Sequence, residues 1–143
     1  MSEQAPGAEV VQIGPHRIEC SEDLYFARFI GDLTAEHMPA LRDLNCRYFE
    51  RNGYVLILVD ASRATTMTPE ARRLNAEYRR DLKYVTATAI FGTNLLVTAL
   101  AGLLYNAAKR LSGQSVEHAF FTSEAAARAW LDKQRTRLSA ARA

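Results

Sequence analysis

The segment Tyr54–Val59, with the sequence YVLILV, constrains the fold more than any other part of the chain. Successive side chains of a strand point to opposite faces, so a strand that is apolar at every position needs apolar neighbours on both faces. Gly53 before the segment and Asp60 after it set its predicted limits. A central strand in a sheet covered by helices meets this requirement, and the segment therefore predicts an α/β fold.

Helical and extended patterns alternate around this strand. Thr34 is the predicted N-cap of an amphipathic helix that ends at Asn52–Gly53. The pair Thr68–Pro69 predicts the start of a second helix, and Ala61–Met67 is predicted to be the loop before it. The other predicted elements are an antiparallel hairpin of strands at 16–21 and 24–30, strands at 85–91 and 115–121, and helices at 93–111 and 123–138. This order predicts one α/β domain over residues 11–143, with a mixed sheet flanked by helices, after a mobile lead-in of residues 1–10.

Composition and charge narrow the classes of function. Of 143 residues, 48% are hydrophobic, and 18 Lys and Arg nearly balance 16 Asp and Glu, so bulk charge argues against a nucleic-acid partner. The N-terminus lacks the features of a secretory signal, and the apolar stretch Leu95–Leu104 is too short to cross a bilayer. Two cysteines without metal-ligand spacing give no sign of a metal site. We therefore predict a cytoplasmic protein without a metal or cofactor.

Two stretches, YVLILVDAS at 54–62 and FTSEAAARAWL at 121–131, carry a family resemblance. Together with the order of elements over about residues 16–138, they resemble the SpoIIAA-like branch of the STAS superfamily, the fold of the anti-sigma-factor antagonists. The resemblance implies a single STAS-like domain that acts in bacterial regulation as a non-enzymatic protein-interaction module. It also implies that partner proteins meet the loop after the central strand and the helix N-terminus that follows.

Regulatory members of that family carry an Asp-Ser pair in this loop, and a partner kinase phosphorylates the serine. When Asp60 is aligned on the first acid of the pattern, Thr68–Pro69 takes the place of the pair, and proline cannot be phosphorylated. The resemblance therefore implies an interaction module without the usual phosphorylation switch. Ser62, Thr65, Thr66 and Thr68 remain as nearby hydroxyl groups, and for Thr68 a helix cap is the simpler role than a phosphorylation site.

Polar residues collect at the predicted carboxyl ends of the parallel strands, where open α/β sheets bind ligands. Two helix N-termini, near Thr68 and Thr93, would offer N–H groups to an anion, although the same hydroxyl groups can serve only as helix caps. The candidate residues for binding a partner or ligand are Asp60, Ser62, Arg63, Thr66, Thr68, Thr93 and Asn94.

The predicted helix at 93–112 is apolar around nearly its whole circumference. One stripe of leucines is enough to pack on a sheet, so the remaining apolar side chains need another cover. A second copy in a homodimer, a protein partner, a lipid-like ligand or another helix of the same chain would each supply it. The candidate residues for this association surface are Leu95, Val97, Ala101, Leu104 and Ala108.

Catalytic motifs are absent from the sequence, which has no G-x-S-x-G and no glycine-rich phosphate loop. His16, His37 and His118 are isolated in the sequence, and only a pairing of Asp60 with His118 across neighbouring strands would resemble part of a triad. A histidine held in the core is the simpler interpretation. We therefore predict a module without enzymatic activity. The alternatives are a carrier of a small lipid-like or anionic ligand and an enzyme with a site of another kind.

Overall fold

The computed structural model of the chain describes residues 9–82, 85–93 and 116–142. Within these ranges, six strands form one sheet whose spatial order follows the chain order. The strands are β1 (Glu9–Ile13), β2 (His16–Cys20), β3 (Leu24–Leu33), β4 (Val55–Met67), β5 (Thr86–Phe91) and β6 (Val116–Phe121). The helices are α1 (Met38–Asn52), which follows a 3-10 turn (Ala35–His37), α2 (Pro69–Leu82) and α3 (Glu124–Arg142).

The sheet is mixed, as the sequence predicts. β1, β2 and β3 are antiparallel neighbours, whereas β3, β4, β5 and β6 run parallel to one another. The predicted hairpin is therefore confirmed as β2 and β3. The strand β1 was not predicted, and it takes in Glu9 and Val10 from the segment predicted as a lead-in. Its one buried side chain, Ile13, gives too weak an alternation to mark a strand in the sequence.

The central strand β4 is covered on both faces. Val55, Ile57 and Val59 pack in a core under α1 and α2, whereas Leu56 and Leu58 pack in a second core under α3. All five side chains are at most 6% exposed, which confirms the prediction from the apolar run. Burial of each such side chain contributes about 1.5–3 kcal/mol, so the segment that predicts the fold also does much to stabilise it.

The helix ends follow the predicted capping signals. Gly53 ends α1 with a left-handed φ of +83°, and its N–H donates to the Phe49 carbonyl. Thr68 caps α2, because its hydroxyl accepts the N–H of Ala71 at 3.3 Å. Ser123 does the same for α3 by accepting the N–H of Ala126 at 3.2 Å.

An ion pair joins α3 to the start of β3. Arg135 donates to both carboxylate oxygens of Asp23, at 2.6 and 3.0 Å, and the Tyr54 hydroxyl donates to the same carboxylate at 2.9 Å. Burial opposes ionisation of Asp23, but the hydrogen bonds from Arg135 and Tyr54 outweigh it and lower the pKa of this carboxyl. The pair fixes the carboxyl-terminal half of α3 over the amino ends of the strands.

Candidate interaction surface at the carboxyl ends of the strands

The strand β4 continues well past the end of its neighbour β5. Its last pairing with β5 joins Asp60 to Phe91, whereas its pairing with β3 continues until Met67 lies beside Leu33. The prediction that Asp60 ends the strand and that Ala61–Met67 is a loop is therefore wrong. We call the paired segments Ile30–Leu33 and Ala61–Met67 the outer ribbon.

Two irregularities in the register let β4 follow β3 in this way. One lies between Arg28 and Ile30 and the other between Gly31 and Leu33, and at each of them β4 carries one extra residue. Such bulges increase strand twist and re-aim side chains, and Gly31 permits the bend with a φ of +72°. The sequence signal was ambiguous, because the polar run from Asp60 to Thr66 resembles a loop in composition although threonines fit a strand well.

Asp60 holds the first turn of the bulged strand. Its Oδ1 atom accepts the backbone N–H of Ser62 at 2.9 Å and the Ser62 hydroxyl at 2.7 Å. Its Oδ2 atom lies 3.8 Å from a guanidinium nitrogen of Arg28, its neighbour on β3. The carboxylate therefore organises the backbone at the point where β4 leaves β5.

The backbone of Gly92 packs directly on Ser62. Gly92 has a φ of +91°, and a Cβ atom at this position would lie 2.7 Å from the Ser62 nitrogen. Real Cβ atoms do not approach a backbone atom so closely, and a side chain is also strained at this φ. The chain after β5 can reach Ser62 only because residue 92 is glycine.

A second carboxylate holds the far end of the outer ribbon. The Thr65 hydroxyl donates to Oδ1 of Asp32, which joins the two strands of the ribbon through side chains. The N–H of Thr68 donates to the Leu33 carbonyl at 3.0 Å and closes the ribbon before α2 begins. Asp32 was not among the predicted site residues, since only the register of β3 against β4 places it beside Thr65.

The structure brings together most of the predicted binding residues. Asp60, Ser62, Arg63 and Thr66 all lie on the outer part of β4; Ser62, Arg63 and Thr66 are exposed, and Asp60 is half-buried. Thr68 is half-buried and serves as a helix cap, which is the simpler of the two roles weighed for it. Thr93 is half-buried next to Gly92.

Several predicted residues lie outside the described part of the chain. They include Asn94 and the residues of the predicted association surface: Leu95, Val97, Ala101, Leu104 and Ala108. The predicted helix at 93–112 falls outside the described residues except for Thr93. The association surface and the homodimer that it suggests therefore stay predictions.

Two arginines that the sequence did not single out meet over one aromatic ring. The guanidinium of Arg28 lies 4.4 Å from the centre of the Phe26 ring, and that of Arg128 on α3 lies 5.3 Å from it. Arg128 also donates to Glu124 at 2.9 Å, and Asp60 faces Arg28. The positive charges are thus balanced locally, and the cluster joins α3 to β3.

The histidines do not form a catalytic arrangement with Asp60. His118 is level with Thr88 and Ile57 in the sheet, and the side chain of Ile57 packs under α1 and α2. Asp60 is three residues beyond Ile57, so it points to the opposite face, beside Arg28. Burial, with a smaller contribution from Arg79, lowers the pKa of His118 to about 4, so that this side chain is neutral near pH 7. The suggested pairing of Asp60 with His118 is wrong.

Among the described residues, no three His, Cys, Asp or Glu side chains are grouped so that they could hold a metal ion. No helix in the described ranges is both long enough and apolar enough to cross a membrane.

No protein-family model matches the chain, and no curated protein matches it either. Among solved structures, it is similar to an uncharacterized protein of the DUF3478 family with a SpoIIAA-like fold from Shewanella loihica PV-4. That match has 20% sequence identity and a TM-score of 0.53, and it covers 92% of this chain and 98% of the other. The chain is also similar to the anti-sigma factor antagonist SpoIIAA in its unphosphorylated form, with 8% identity, a TM-score of 0.50 and coverage of 90% and 98% of the two chains. The architecture and these two matches together show that the chain has a SpoIIAA-like fold.

Proposed function

We propose that this chain is a protein-interaction module that works without catalysis and binds a partner protein through the outer ribbon and the first turn of α2. The observation that carries the proposal is the continuation of β4 past β5, which presents exposed polar side chains on a paired strand. A paired strand loses little conformational freedom when it binds, so its contacts give affinity more efficiently than those of a loose loop.

The chemistry of the ribbon favours a protein partner. Arg63 supplies an exposed charge, and Ser62, Thr65 and Thr66 supply hydroxyl groups along the same strand. Polar groups spaced along an exposed strand suit an extended peptide or a strand of another protein, whereas small ligands prefer concave, mostly apolar sites. Arginine is also a frequent contributor of binding energy at protein interfaces.

Three polar side chains of the candidate surface have structural roles. Asp60 binds Ser62, Asp32 binds Thr65, and Thr68 caps α2. The Ser62 and Thr65 hydroxyls each donate to one of these carboxylates, and both contacts hold the irregular register of the outer ribbon. These roles support binding rather than catalysis.

The proposal includes a partner contact that does not depend on phosphorylation at the position suggested by the resemblance. The Thr68 hydroxyl already accepts the N–H of Ala71, and the next residue is Pro69. The cap is thus complete in the unphosphorylated chain, and proline has no hydroxyl group to modify. We therefore expect the phosphate-free chain to be the form that binds.

Site-specific cross-linking tests the proposal in the cells that make the protein. A photoreactive residue replaces Thr66 on the ribbon, which leaves Arg63 in place, or, as the control, Ala129 on the exposed surface of α3. We expect one protein to cross-link from position 66 and not from position 129. That protein, once purified, should bind the unmodified chain directly.

Two charge reversals then measure the contact with the purified partner. Arg63→Glu should weaken binding by roughly tenfold or more, as loss of an interfacial arginine contact does. Lys133→Glu on α3 makes the same change in charge at an exposed control position and should leave binding unchanged. The proposal is wrong if the two variants bind equally well, or if the partner cross-links from position 129 but not from position 66.

A further inference from the structure

His16 joins two strands through its side chain rather than its backbone. The backbone pairing of β2 with β3 ends where Arg17 lies beside Arg28, and His16 is the next residue towards the N-terminus of β2. Its Nδ1 atom accepts the N–H of Ile30 at 3.0 Å. The imidazole thus continues the connection to β3 beyond the end of the ladder, at the residue where the outer ribbon begins.

This hydrogen bond defines the protonation state of His16. An Nδ1 atom that accepts an N–H carries no proton, so the neutral ring holds its proton on Nε2. The residue is 0% exposed, and among the described residues its Nε2 atom has no hydrogen-bond partner. Burial lowers the pKa of His16, the neighbouring His37 lowers it further, and the backbone of Asp32 acts in the opposite direction.

Among the residues that the structure describes, none supplies a direct counter-ion to His16. The ring of His37 lies edge-to-face at 4.7 Å between centroids, and Phe29 packs at 5.3 Å. The N-terminal neighbours of His16, from Val10 to Pro15, are uncharged. The nearest carboxylates have other contacts, since Asp32 binds Thr65 and Glu36 lies 3.7 Å from His37. Arg17 and Arg28, the paired arginines next to His16 on β2 and β3, lie on the opposite face of the sheet. Arg63 on β4 and Glu70, Arg72 and Arg73 on the first turns of α2 are exposed.

His37 is fixed in a similar way. Its Nδ1 atom accepts the N–H of Thr34 at 3.1 Å, and the turn at Gly14 packs so tightly that a Cβ atom there would lie 2.4 Å from its Nε2 atom. The ring is therefore packed between His16 and the turn that joins β1 to β2. A positive charge on His16 would remain close to the second imidazole.

We propose that the hydrogen bond from the Ile30 amide to His16 is a proton-sensitive link between β2 and β3. Protonation of His16 in mildly acidic solution breaks this hydrogen bond and makes the backbone of the outer ribbon less ordered. A proton taken from solvent onto Nδ1 turns the acceptor into a donor, so two N–H groups then face each other. The inference depends only on these contacts and holds whether or not the ribbon binds a partner. If the ribbon is the partner surface, acidic solution weakens partner binding through the same change.

Amide hydrogen exchange on the free chain, measured from pH 7.5 to pH 5 and corrected for intrinsic exchange rates, tests whether this hydrogen bond depends on pH. In the wild type, protection of residues 30–33 should fall roughly tenfold as the pH decreases below 6.5, which corresponds to loss of about one hydrogen bond, while residues 55–59 stay protected. His16→Asn keeps an acceptor oxygen near the Nδ1 position but does not titrate, so its protection should not change with pH. His118→Gln is the control and should retain the wild-type response of the ribbon.

Nitrogen NMR of the wild-type imidazoles gives a second measurement that needs no variant. Nδ1 of His16 should be unprotonated at pH 7.5 and should gain its proton over the same pH range in which residues 30–33 lose protection. The proposal is overturned if that protection does not change with pH, if His16→Asn responds as the wild type does, or if Nδ1 carries the proton at pH 7.5. Since no partner is present, these outcomes are independent of the cross-linking result.

Discussion

Replacement of Asp60 by alanine tests how the outer ribbon is held. The substitution removes the acceptor of two hydrogen bonds from Ser62 and the partner of Arg28 at 3.8 Å. A hydrogen bond to a charged group contributes about 1.5–3 kcal/mol to stability. Ser62 is exposed, so water can replace part of each bond, and we expect each to contribute only about 0.5–1 kcal/mol. The partly exposed ion pair adds about 0–1 kcal/mol. We expect Asp60→Ala to lower the free energy of unfolding by about 1–3 kcal/mol.

Matched variants separate these contributions in urea unfolding experiments. Asp60→Asn keeps a neutral acceptor and should cost about half as much, and Ser62→Ala should cost about 0.5–1 kcal/mol because it removes only the hydroxyl bond. In the double variant Asp60→Ala, Ser62→Ala, the serine change should have no further effect, which gives a coupling energy of about 0.5–1 kcal/mol. An unchanged unfolding midpoint for Asp60→Ala, or purely additive effects in the double variant, would refute this account of the bulge.

Three further predictions concern the packing and the acid response of the domain. Gly92→Ala should destabilise the fold by about 2 kcal/mol or more in urea, because the new methyl group meets the Ser62 nitrogen at a positive φ; an effect below about 0.5 kcal/mol would contradict the close approach. Leu131→Ala in α3 should cost about 2–5 kcal/mol, since this side chain is 0% exposed in the second core, whereas Ala129→Ser on the exposed surface should be nearly neutral. The pKa of His118 is lowered from 6.5 to about 4 in the folded chain, so the unfolded chain binds the proton at a higher pH than the folded chain does. The stability that neutral His118 provides is therefore complete above pH 6.5 and is lost as the pH falls towards 4. Unfolding of the wild type and of His118→Gln across this pH range should show a smaller acid loss in the variant, and parallel curves would be the contrary result.

The elements that the sequence predicts are those whose signals are local. The run from Tyr54 to Val59 can be buried only in a central strand, Gly53 gives the left-handed end of α1, and Thr68–Pro69 gives both a cap and a first helical residue. Each of these inferences needs only the preferences of a few neighbouring residues. They were confirmed because no distant contact opposes them.

The outer ribbon could not be predicted, because it depends on contacts between distant residues. Asp60 and the hydroxyl residues after it look like a loop until β3 is placed beside them, and Thr65 finds Asp32 only in that register. The sequence places Asp60, Ser62, Arg63 and Thr66 on one segment, but the local structure that it predicts for that segment is wrong. The His16 contact with Ile30 was missed for the same reason, since nothing in the sequence of β2 indicates which amide its ring will reach.

Backbone NOE measurements on isotopically labelled protein test most directly the claim that an ordered ribbon extends beyond β5. The account predicts inter-strand backbone contacts between Gly31 and Ala64 and between Leu33 and Met67, together with slow amide exchange in the ladder. Absence of these contacts, with random-coil chemical shifts from Ala61 to Met67, would contradict it and would return this segment to the loop that the sequence suggested.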